Sequence, residues 1–188
     1  MKNVLIVGNS MFVGRAVCDT LCKHEDYKVS FIDTLGIDPE MIDFSGYDTV
    51  IMIVEDDHTW KTDMKSDIYC KFNWDLAYCT AIVAKAYGVS RFVILGRLES
   101  HMTTQPQVNY VSPNSAEITF SESKSSAEKK CAALVNDRFR ICIVKLPTIY
   151  EDKKSDIVSR VRELLPSKKT KRINIEEVCS LINLVISE

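Results

Sequence analysis

The chain has 188 residues, 46% hydrophobic and 27% charged, with a formal net charge of −2. That length fits one domain with a substantial core, and the near-balanced charge argues against a general nucleic-acid binder. Apolar runs are too short for a bilayer and no charged-then-apolar leader opens the chain, so a cytoplasmic location and no membrane partner are expected.

Residues 3–7 are apolar and rich in β-branched side chains, which predicts a buried strand. Gly8, Asn9, Ser10, Met11, Phe12, Val13 and Gly14 then turn the chain, and apolar positions recur at helical spacing over 11–21. Strand, glycine turn and helix in that order open a βαβ nucleotide-binding unit, with Gly8 expected to take a positive φ. The free N–H groups and dipole of the helix start would cradle a pyrophosphate. Met11 stands where the full glycine fingerprint has its middle glycine, and an ordinary strand–turn–helix would look the same here.

Residues 27–32 predict a second strand, ended by Asp33 about 25 positions beyond Gly8. A carboxylate there can accept both ribose hydroxyls of an adenosine and repels a 2′-phosphate, which favours NAD over NADP. Residues 34–47 read as a short broken connection, 47–54 as a third strand, and 55–58 as an acidic loop in which His58 is solvated. A helix is predicted over 63–87 with Gly88 as its C-cap, then a fourth strand over 91–96. Residues 97–115 read as a long loop, 115–136 as a helix, 140–146 as a fifth strand and 153–165 as an amphipathic helix. The basic run 167–172 reads as a solvated linker, followed by a short strand over 172–175 and a closing helix over 176–187. This alternation predicts an α/β fold, a doubly wound parallel sheet with helices on both faces.

The seven cysteines, Cys18, Cys22, Cys70, Cys79, Cys131, Cys142 and Cys179, include no C-x-x-C pair. Most sit among apolar neighbours and read as small buried hydrophobes, and no metal site is expected.

The order of these pieces resembles the extended short-chain dehydrogenase/reductases, the NAD-dependent nucleotide-sugar epimerase, dehydratase and reductase group. Residues 7–14 look like that family's T-G-x-x-G-F-I-G, and Asp33 falls where its ribose-binding acid sits. Ile42, Asp43 and Phe44 resemble the segment whose acid meets the adenine amino group. Residues 47–51 resemble its D-x-V-I-H strand, with Met52 in place of the histidine. Asn73, residues 88–93, 145–150 and 173–178 match further family stretches in register. The resemblance implies a Rossmann-like NAD(P)-binding domain over 1–188 with the substrate lobe largely missing. It also implies NAD as cofactor, a nucleotide-sugar-like small molecule as a possible second ligand, and a homodimer.

The family's Tyr-x-x-x-Lys departs here. Phe120 stands at the tyrosine position and has no proton to exchange, while Lys124 remains one turn later, followed by Glu128. The family's Ser/Thr partner falls where the chain has Gly96, Arg97 and Leu98, with Ser100 the nearest hydroxyl. Lys124 is then the one residual candidate for a catalytic and ribose-binding role. Three readings follow: a cofactor-binding or regulatory protein without standard dehydrogenase catalysis; an active oxidoreductase or epimerase drawing its proton from Tyr110, Ser121 or Glu122; or a nucleotide-free interaction scaffold.

Overall fold

The computed structural model describes residues 1–8, 11–33, 37–54, 66–97, 106–111, 130–150 and 172–187. Along them run β1 (Lys2–Gly8), α1 (Met11–Leu21), β2 (Tyr27–Asp33), β3 (Thr49–Val54), α2 (Ser66–Ala86), β4 (Arg91–Arg97) and β5 (Gln107–Tyr110). There follow β6 (Arg140–Leu146), β7 (Thr148–Tyr150), β8 (Arg172–Asn174) and α3 (Ile175–Ser187). Six strands form one sheet in the order β2-β1-β3-β4-β6-β5, and β7 and β8 pair separately.

The apolar runs of β1, β3, β4 and β6 are continuous because both faces of the sheet are covered. Alternate residues along each strand divide between two cores. On one face Val4, Ile6, Ile51, Val93 and Cys142 pack with Val13 and Val17 of α1 and Val178 and Ile182 of α3. On the other, Leu5, Val7, Met52, Phe92 and Ile94 pack with Ala77, Ala81 and Ala84 of α2 and with Phe44 and Phe139. Small residues on the inner side of α2 bring its backbone close to the sheet.

Polar pins hold the lower ends of the strands. The Asn3 N–H donates to Asp48 Oδ2 at 2.7 Å, and the N–H groups of Ser90 and Arg91 donate to the Asp48 carbonyl at 3.1 Å. Lys2 Nζ and Arg91 Nη1 donate to the Ile186 carbonyl at 3.0 and 2.6 Å, which places two cations at the C-terminus of α3. Gly88, at φ 85°, ends α2, and Val89 N–H closes back on the Ala84 carbonyl at 3.1 Å.

Three expectations are corrected. The stretch read as a loop over 97–115 contains β5, which pairs antiparallel with β6 as the sheet's edge. Its four residues alternate too briefly to register as a strand, and the pairing with β6 holds them there with Val108 packed against the core. The helix read as reaching 136 ends by Ala132 in its described part. Asn136 Oδ1 accepts the N–H groups of Arg138 and Phe139, both at 2.9 Å, and turns the chain into β6. Finally, Cys22 and Cys79 are exposed, whereas Cys131, Cys142 and Cys179 are buried as expected. The proposed helix over 153–165 and the basic run up to Lys171 lie outside the described residues.

Candidate dinucleotide site

Strand order reverses between β1 and β3, and α1 and α2 leave the sheet toward opposite faces from these neighbours. Such a switch point opens a crevice beyond the carboxyl ends of the strands. Gly8 ends β1 there, and α1 begins at Met11 with no acidic side chain in its first turn. That helix start is therefore electrostatically open to an anion.

Gly8 does not take the positive φ expected of it; among the described residues only Gly46 and Gly88 do. The reason for glycine is steric. A Cβ at Gly8 would sit 2.9 Å from both the Cβ and the carbonyl oxygen of Ile53 on β3. A Cβ at Gly14 would run into the Phe31 ring, so this glycine lets α1 lie down on β2. Val13 is buried beside it, and Phe12 is 43% exposed on the outer side of the first turn. Asn9, Ser10 and the Met11 side chain lie outside the described residues.

Asp33 is exposed at the tip of β2 and is the register partner of Gly8. The two Cα atoms are thus one strand spacing apart, about 4.8 Å. An acid beside a glycine-lined helix start is the arrangement that receives an adenosine ribose next to a pyrophosphate. Asp43 is also exposed, and its Oδ1 accepts the Ser45 N–H at 2.9 Å. Hydrogen bonds from the Ser45 hydroxyl and N–H hold its carboxyl below the ordinary carboxylate range. Phe44 has none of its surface exposed and meets Tyr87 edge-on, with ring centroids 6.1 Å apart. It fixes the backbone that carries Asp43 and offers no face to a ligand.

The residues that distinguish the chemistry, Phe120 and Lys124, lie outside the described residues, as do His58, Ser100, Ser121, Glu122 and Glu128. Tyr110 does not reach the crevice. Because β5 runs antiparallel, Tyr110 pairs with Cys142 in the lower half of β6, away from the strands' carboxyl ends. This removes it as a replacement acid near the crevice.

Lys145, expected only as the first residue of a family-like stretch, is 9% exposed near the carboxyl end of β6. Its register partners are Gly96 on β4 and Gln107 on β5. A lysine inside the otherwise apolar run 141–146 was the available signal, because burying an ammonium without a functional or structural partner is costly. From β2 to β6 the rim crosses four strand spacings, about 19 Å.

This is a doubly wound Rossmann-like fold with an antiparallel edge strand. Neither a protein-family model nor a curated protein matches the sequence. Solved structures do match, and the fold is that of nucleotide-sugar epimerases, dehydratases and reductases. The UDP-N-acetylglucosamine 4-epimerase of Methanobrevibacter ruminantium M1 is 13% identical, with 95% of this chain and 71% of that one covered at a TM-score of 0.59. The dTDP-4-dehydrorhamnose reductase of Clostridium acetobutylicum ATCC 824 is 13% identical, with 98% and 70% covered at 0.56. The NAD-dependent NDP-hexosamine 5,6-dehydratase TunA, involved in tunicamycin biosynthesis, is 14% identical, with 98% and 72% covered at 0.55.

Proposed function

We propose that this chain is one Rossmann-like domain that binds a nicotinamide dinucleotide, NAD in preference to NADP, and acts as a cofactor-binding or regulatory protein without standard short-chain dehydrogenase catalysis. The observation that carries the reading is the register of Asp33 with Gly8 at the foot of an acid-free helix start. Gly8 and the start of α1 at Met11 would hold the pyrophosphate by backbone, with Gly14 setting the helix against β2, Asp33 would hold the adenosine ribose, and Asp43 the edge of the adenine. When bound, the cofactor supplies hydride transfer. The loss of the phenol at Phe120 removes the group that would move the accompanying proton.

Titration calorimetry with NAD and NADP tests this directly. Wild type is expected to bind NAD more tightly than NADP. Asp33→Ser is expected to weaken NAD about ten- to hundredfold and to narrow the gap, since a charge-assisted hydrogen bond contributes roughly 1.5–3 kcal/mol. Absence of measurable affinity for either dinucleotide would sink the reading.

A second reading, an oxidoreductase or epimerase acting on a nucleotide sugar or similar small molecule, is favoured by one feature, a largely buried lysine, Lys145, near the carboxyl end of β6. A lysine at that end of the sheet would position a substrate oxygen or balance its charge. The outer side of α2 supports a homodimer. Cys79, Ile82 and Ala86 are exposed there, on the side away from the core-facing Ala77, Ala81 and Ala84.

A further inference from the structure

At the end of the sheet opposite the crevice, Arg91 opens β4 and Arg140 opens β6, and the two are direct register partners. Partners on neighbouring strands project from the same face about 5 Å apart, where like charges repel. Neither arginine has an ion-pair partner among the described residues.

Arg91 is held in place. Its Nη1 donates to the Ile186 carbonyl at 2.6 Å and the Val185 carbonyl at 3.3 Å, at the end of α3. Those bonds use one nitrogen of the guanidinium and leave the other donors of the fork for a ligand. Arg140 is exposed, and its side chain has no hydrogen-bond partner among the described residues. Between them lies an open cavity of about 190 Å³ lined by Arg91, Arg140, Tyr110, Ile141 and Cys142. Tyr110 reaches it because the antiparallel course of β5 sets it opposite Cys142. The cavity is smaller than the roughly 300–1,000 Å³ of sites for drug-sized ligands. It suits a small anion bearing at most a short apolar group.

We propose that this cavity is a second binding site, for a small oxyanion (a carboxylate or a phosphate) bridged between Arg91 and Arg140 and separate from the dinucleotide crevice. The anion turns a repelling pair into two charge-assisted contacts, each able to be bidentate. Tyr110 walls one side with an aromatic face and a polar tip. Binding joins β4, β6 and the end of α3 through Arg91.

Thermal unfolding of the full chain, in chloride, inorganic phosphate and propionate at matched ionic strength, tests the proposal. For wild type a saturable rise in Tm is expected in phosphate or propionate, about 3–6 °C at ten times the dissociation constant. The anion that gives it identifies the source. Arg140→Gln is expected to lose the saturable rise and, in chloride, to melt no lower than wild type. Lys28→Gln, an exposed charge removed on β2, is expected to keep the rise. No saturable rise with either anion, or equal rises in wild type and Arg140→Gln, would overturn the proposal. Calorimetric titration with the same two anions gives an independent readout, with at least a tenfold loss of affinity expected in Arg140→Gln.

Discussion

At Gly14 a single missing carbon lets a helix meet a strand. The Phe31 ring occupies the space a Cβ would need, and Phe31 belongs to the core under α1. Gly14→Ala must push that ring aside, at an expected cost of about 1–3 kcal/mol for overpacking. Urea unfolding monitored by circular dichroism checks this, and an unchanged midpoint would show that the ring moves freely. Cys18 gives a pH signature at the same scale. Burial first, and then the neighbouring Cys22, push its thiol up to about 11 from the ordinary 9.0. The folded chain therefore keeps a proton that the unfolded chain releases between these values, so stability is intact below pH 9 and falls as pH rises toward 11. Under reducing conditions, Cys18→Ala is expected to flatten the Tm profile across that window. Tyr110 carries the opposite lesson: a residue type suited to proton transfer was legible, but its place at the wrong end of the sheet was not.

At the scale of elements, the strands read most directly. Their continuous apolar runs follow from burial on both faces, so β1, β3, β4 and β6 are visible without any partner in hand. β5 is different. Its four residues are half-buried or exposed, and the hydrogen bonds that make it a strand all come from β6. α2 also reads as a helix, and its outer side carries the exposed apolar residues Cys79, Ile82 and Ala86 beside Asp75, which pairs with Lys130 at 3.5 Å. Ile82, 41% exposed, is central to that side. If two copies associate through it, Ile82→Asp is expected to shift the chain from dimer to monomer by light scattering, because an unpaired carboxylate would be desolvated in the contact. A wild-type monomer across a micromolar concentration range would remove the surface from consideration.

For the whole molecule, the two ends of the sheet gather different kinds of residue. The carboxyl ends gather Gly8, the start of α1 and Asp33 around the strand-order reversal. The amino ends gather Lys2, Asp48, Arg91 and Arg140, with Lys2 and Arg91 ending α3 and Asp48 tying β1 to β4. The segment between β2 and β3 bears on the first of these ends. Over its described part it crosses in a turn of Pro39–Met41, capped by Asp38, and buries Ile42 and Phe44 under α2. Among the described residues β2 is therefore the edge strand, and Asp33 stands at the end of the rim rather than inside it.

Local chemistry made most of the fold legible from the chain alone. Period-two and unbroken apolar runs fix strands, 3.6-residue spacing fixes helices, and a glycine turn with a distant acid marks one crevice. Those signals are carried by neighbours in sequence, so no contact is needed to read them. Only the tertiary structure decided that Gly8 is glycine because of Ile53, that Phe44 belongs to the core, that β5 exists, and that Arg91 and Arg140 face each other. Each of these depends on which strands lie side by side and in what register, and the chain brings those residues together from 45 or more positions apart in the first case and 49 in the last.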